Sequence, residues 1–204
     1  ATHPMMESMS EEAILEEMVS DKTKLEEIFG REVAGFALPF SYHDEKINRC
    51  GIAAGFEYAR ISEESMGFTV PMNYHRWIGT LFHIRPELES CVDRFLQTDQ
   101  ELALFQPIGH SYDLDVEEMG DRREAVMARL SSHKDIWSAT HIEIVRYLRA
   151  MAKADIKENQ IVNNSDVDLW FLVDGNVKVL HPGEKENLLC QKMQSQPHKN
   201  VAIA

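Results

Sequence analysis

LALFQPIGHSYD, residues 102–113, joins an apolar run to a polar loop, and the reading of that junction decides the fold. Residues 102–110 make the most hydrophobic strand candidate of the chain. In folds that alternate strands and helices, functional side chains gather in loops beyond the carboxyl ends of parallel strands. Gly109 lets the backbone turn or approach a ligand, and His110 then projects from the end of a buried strand. An imidazole so placed can act as general acid or base near neutral pH. The alternative at this point is a histidine hydrogen-bonded into an ordinary loop.

The flanks supply the alternation. Downstream, residues 115–131 predict a helix, DIWSA (135–139) a short strand, and HIEIVRYLRAMAKA (141–154) an amphipathic helix. Upstream, PELESCVDRFLQ (86–97) places Leu88, Cys91, Val92, Phe95 and Leu96 on one helical side. EVAGFALPF (32–40) and FEYARI (56–61) read as strands, with DEKINRCGIAA (44–54) a helix between them and Asp44 its N-cap. Residues 10–29 carry Ile14, Leu15, Met18, Leu25, Ile28 and Phe29 at helical spacing. Ser8, three residues before Glu11, suits a capping box, and Gly30 suits the stop. This succession predicts an α/β fold with a largely parallel sheet.

After residue 160 the pattern changes. Val167, Leu169, Phe171 and Val173 alternate strictly, Asp174-Gly175-Asn176 makes a turn, and Val177 and Val179 begin a second alternating run. That is a β-hairpin, read as an appendage over 161–187 packed on a body formed by 1–160. Its aspartates read as solvent-facing strand residues. Residues 188–204 have no place in either pattern.

With 204 residues, 44% of them hydrophobic, the chain suits one globular domain with a sizeable core. A formal net charge of −13 argues against binding nucleic acid or an anionic membrane, since both need a basic face. Cys50, Cys91 and Cys190 are odd in number and far apart, and read as buried thiols of a reduced compartment. No apolar run approaches the roughly 18 residues of a membrane span. No signal peptide is visible, which points to the cytoplasm.

Taken in order, several pieces resemble the polysaccharide deacetylases of the NodB-homology type, carbohydrate esterase family 4. ATHPMMESMS and the helix after it look like the end of that family's metal-binding His-[Ser/Thr]-x-x-His motif. GFALPFSYHDEKI looks like the Arg-x-x-Pro-[Tyr/Phe] motif, NYHRW like the Asp-x-x-x-Trp region, and ALFQPIGHSYD like the Leu-x-x-His motif. The resemblance runs colinearly from residue 2 to about residue 187. It implies a partial, distorted (β/α) barrel and a metal-dependent hydrolase that deacetylates N- or O-acetylated carbohydrate.

The resemblance also implies roles. The family holds a divalent metal, usually zinc, on two His and one Asp, with an Asp base, a His acid and a backbone N–H for the oxyanion. His3 fits the second metal ligand and His110 the general acid. Phe40 takes the aromatic position whose N–H faces the oxyanion, with Pro39 fixing the turn. Trp77 fits a wall of the acetyl pocket. Phe36 or a neighbour stands where the family has Arg, and Asn73 where it has Asp, so groups that orient the acid and base are missing.

The family's Thr-Phe-Asp-Asp-Gly motif and first metal His would lie upstream of Ala1. The expectation is therefore an N-terminally truncated deacetylase domain, incomplete as a catalyst and a doubtful binder of metal. A circular permutation that sets Val201 to Ala204 beside Ala1 is an alternative account of the tail. The alternative functions are a non-catalytic carbohydrate-binding relative, in which Trp77, Phe40 and Tyr112 form a sugar-stacking cleft, and a structural domain. The expected partner is an acetylated glycan or small acetylated sugar.

Overall fold

The structure, a computed structural model, describes residues 2–115, 119–157, 160–173, 176–187 and 200–202. Helix α1 (Glu11–Phe29) is capped by Ser10, whose hydroxyl accepts from Ala13 N, rather than by Ser8. It ends where Gly30 turns left-handed at φ 62°, a conformation glycine adopts without steric cost. Strand β1 (Gly35–Ala37) stops short of Pro39, and α2 (Glu45–Ala53) starts at Asp44, whose carboxylate accepts from Ile47 N as expected. The parallel strand β2 (Tyr58–Glu64) follows.

Strand β3 (Trp77–Gly79) continues past Thr80 into β4 (Leu81–Phe82), and α3 (Leu88–Leu96) covers it. The deciding stretch is a strand with one interruption: β5 (Leu104–Phe105) and β6 (Pro107–Ile108) flank Gln106. The two interruptions face each other. Thr80 N donates to Gln106 O at 2.8 Å, while Gln106 N donates to the Thr80 hydroxyl at 2.9 Å. A side chain thus replaces a carbonyl in the ladder, and both buried amides stay satisfied. Helix α4 (Met119–Ser131), strand β7 (Ile136–Ser138) and helix α5 (His141–Met151) complete the alternation, α5 through a Thr140/Glu143 capping box.

Beyond α5 lie β8 (Asp155–Lys157) and β9 (Gln160–Val162), then the hairpin β10 (Leu169–Val173) and β11 (Asn176–Leu180), and β12 (Lys185–Asn187). Register from Leu169↔Leu180 to Val173↔Asn176 leaves two residues for the connection, as the Asp-Gly signal implies. Asp174 and Gly175 themselves lie outside the described residues, as do Cys190 and most of the tail. Leu169, Phe171 and Val173 bury against Ala150 and Tyr147 of α5, which fixes the appendage to the body. The second run corrects the expectation, because Val177 and Val179 face solvent and Leu180 turns in. A small antiparallel sheet, β12-β9-β8, was not legible in the sequence.

The last strand, β13 (Asn200–Ala202), is the larger correction. It lies parallel between β5 and β7, pairing Val201 with Leu104 on one side and Trp137 on the other. Residues 200–202 therefore have a place, inside the parallel run. Its neighbours read β1-β2-β3, β4-β6 and β5-β13-β7, one parallel succession joined through the Thr80 and Gln106 interruptions. The fold is mixed α/β, as expected. Among the described residues no ladder joins β7 back to β1.

Helices α1 and α2 enclose one core around Ile14, Ile47 and Ile61, and α3 and α4 enclose another around Phe95, Leu81 and Phe105. The loops after β1, β4, β6 and β7 consequently open at the same end of the parallel strands. Cys50 and Cys91 are buried free thiols, and burial raises both of their pKa values. Among the described residues no helix is long and apolar enough to cross a membrane.

Candidate functional site

His110 leaves the end of β6 exposed, its ring stacked on Tyr112 at 4.7 Å between centroids. Its backbone N–H donates to Asp113 Oδ2 at 2.9 Å, and its Nδ1 stands 3.7 Å from the same oxygen. Asp113 is shared. His83, only 4% exposed, places Nε2 3.0 Å from Asp113 Oδ2 and Nδ1 3.2 Å from Arg123 Nη1. A guanidinium can only donate, so His83 accepts at Nδ1 and carries its proton on Nε2, which donates to Asp113. The partners fix the tautomer. The hydrogen bond from the His110 N–H, with that from His83, holds the Asp113 carboxyl below its ordinary range despite its partial burial.

Gly109 serves this arrangement in a way sequence did not show. A Cβ there would lie 2.4 Å from His83 Nε2, so the imidazole rests directly on the glycine. Gly109→Ala is expected to push His83 off Asp113 and cost about 1–3 kcal/mol of stability, since a buried ring has little room to yield. Denaturant unfolding measures the cost, and the Nε2 proton resonance of His83 reports the displacement. A resonance unchanged from wild type would refute the close contact.

His3, Pro39 and Phe40 come together at a second corner. The His3 ring meets Phe40 edge-on at 4.7 Å, and His3 and Pro39 line a cavity of about 240 Å³ with Met18, Asp21, Phe36 and Phe56. Phe40 and Ser41 are both left-handed, at φ 54° and 60°. Two such non-glycine residues in succession store strain, a feature that persists where the surroundings over-determine it. Ser41 is held by accepting at its hydroxyl from Ser62 N.

Trp77 does not reach these rings as a surface. It is fully buried with Leu104, Ile144 and Val145, edge-on to His141 and Tyr58. It packs beneath the strand ends, and a sugar cannot stack on it, so it does not join Phe40 and Tyr112 in a three-ring cleft. His141, at the start of α5, lies flat on Tyr58 at 5.1 Å. Burial, helped by the charge of Arg60, lowers its pKa to about 4, so it is neutral near pH 7. Gln106 Nε2 meets its Nε2 at 2.7 Å.

His83, Asp113, Arg123, His141 and Gln106 were missed as site residues. The usable signal was positional for four of them: His83, Gln106, Asp113 and His141 follow or interrupt a strand near His110, whereas Arg123 lies within α4. His43, His75, Asp166 and Asp168 stay outside this group. Asn73 accepts from His75 N and caps a turn. Among the described residues no group of three or more His, Cys, Asp or Glu side chains could hold a metal ion. His3 therefore does not fit a three-ligand zinc site with the side chains described. No protein-family model, curated protein or solved structure matches the chain.

Proposed function

We propose that this chain is a polysaccharide deacetylase domain of the NodB-homology type, with a partial, distorted (β/α) barrel, that its catalytic set is incomplete for want of the Asp-Asp pair and a first metal His, and that His110 stands in the place of the general acid. The observation that carries the reading is His110 at the end of β6, its backbone N–H held by Asp113, which His83 holds in turn, with Arg123 behind His83. Hydrolysis of an acetamide or acetate ester needs a proton on the leaving amine or alcohol as the carbon–heteroatom bond breaks. The His110 Nδ1 faces Asp113, so its other ring nitrogen is the one placed to donate outward. Asp113 stabilises the imidazolium before transfer, as an ionised partner does in other acid–base pairs. The colinear motifs, and the left-handed turn at Phe40 after Pro39, support the same assignment.

Acetate release from a panel of N- and O-acetylated oligosaccharides, with zinc added, tests it. His110→Ala should lower the rate by roughly 100-fold or more. Release that is unaffected by the substitution would overturn His110 as the acid, and release absent from wild type on every substrate would decide for the second reading, binding without catalysis. A second reading, non-catalytic glycan binding, draws on the exposed rings of Phe40 and Tyr112, 62% and 64% accessible, each beside a histidine. It expects weak glycan binding that a chelator leaves unchanged.

A further inference from the structure

Between β2, β6 and α5 lies a small polar cavity of about 140 Å³, lined by Arg60, Gln106, Gly109, Arg123 and His141 among others. Its charge is out of character for the protein. The chain carries a net −13, and Arg49, Arg85, Arg122, Arg129 and Arg146 each hold a carboxylate. Among the described residues Arg60 and Arg123 hold none. Arg60 makes one long hydrogen bond, 3.5 Å to the Ser62 hydroxyl, and Arg123 one to His83 at 3.2 Å. Each guanidinium has five N–H donors in a fork that matches a carboxylate, so most of that capacity is unused.

A second observation is independent of the charges. Gln106 is only 3% exposed, lines the same cavity, and its Oε1 has no partner although its Nε2 is engaged by His141. A buried acceptor without a donor costs stability and marks a place where a ligand hydroxyl would be welcome. Burial also lowers the Arg60 pKa, opposed only by Tyr58, so nothing nearby compensates that charge.

We propose that this cavity is a binding site for a small hydroxy-carboxylate, such as the acid end of a uronic acid or an α-hydroxy acid. The carboxylate lies between Arg60 and Arg123, and a neighbouring hydroxyl donates to Gln106 Oε1. Size agrees: 140 Å³ is the room of roughly four or five waters, enough for a carboxylate and a hydroxylated carbon. The neutral His141 accepts rather than repels at this wall. The proposal stands apart from the deacetylase reading, since it concerns binding and not hydrolysis.

Titration of the full chain with glycolate, acetate, ethylene glycol and inorganic phosphate, read by NMR at His141 and the arginine Nε–H groups, is the test. Glycolate is expected to saturate, acetate to bind more weakly for want of the hydroxyl, and ethylene glycol to shift nothing. Arg60→Met and Arg123→Met should each weaken glycolate by at least about tenfold. Without ligand, Arg60→Met should melt no lower than wild type, because it removes an uncompensated charge. Glycolate no better than ethylene glycol, or bound by both variants as tightly as by wild type, would overturn the site. Phosphate binding tighter than glycolate, and indifferent to Gln106→Leu, would overturn the hydroxy-carboxylate assignment.

Discussion

Trp77→Ala should lower the unfolding free energy by about 3–5 kcal/mol, the range for emptying a buried aromatic position. The indole is fully buried, wedged against the Tyr58 and His141 rings and packed on Leu104, Ile144 and Val145. Its loss opens a void beneath α5 that the surrounding strands cannot collapse to fill. Trp77→Phe is the informative control. The Trp77 Nε1 is buried without a hydrogen-bond partner, so phenylalanine trades lost volume against removal of an unsatisfied donor. Its cost should be about 1.5 kcal/mol or less. Equilibrium denaturation of both variants decides. A cost below about 1 kcal/mol for the alanine variant would return Trp77 to the surface role that sequence suggested.

The second large effect is on acid stability. His141 has a pKa of about 4 in the folded protein and 6.5 when unperturbed. Between those values the unfolded chain binds the proton and the folded chain does not, so stability rises with pH across that window. The contribution is intact above about pH 6.5 and is lost progressively as pH falls toward 4. From 6.5 to about 4, the loss is worth on the order of 3 kcal/mol. His141→Gln should flatten the slope between pH 6.5 and 4. Asp113, Glu64 and Glu143, whose carboxyls are held below their ordinary range, act in a lower window, as pH falls through their depressed values. Unfolding curves at intervals from pH 4 to 7 separate the two. A slope that survives His141→Gln would place its origin elsewhere.

Which features could be read from the chain follows from the range of the forces behind them. The Asp44 cap, the Gly30 stop and the 169–173 alternation are local, because a side chain, a φ angle or a two-residue period decides each within a few residues. His110 was legible for the same reason: it follows an apolar strand by one glycine. Pro39 and Phe40 were legible as a turn, and the structure adds its left-handed geometry.

The rest depends on contacts between distant segments. Nothing near His83 distinguishes it, since its role comes from Asp113 and Arg123, 30 and 40 residues away. Trp77 was misplaced because a large aromatic at a strand start fits a cleft or a core equally well, and only the packing of α5 chooses between them. The stretch 198–204 reads as a strand from its apolar residues, but its place was decided by the backbone-bonding slot that β5 and β7 leave between them. By itself, then, the sequence determined the α/β alternation, the hairpin and the place of His110, which rest on local periodicity and turn chemistry. The tertiary structure alone decided that Arg60, Gln106, Arg123 and His141 face one cavity, because a parallel sheet brings together strand ends that lie far apart in the chain.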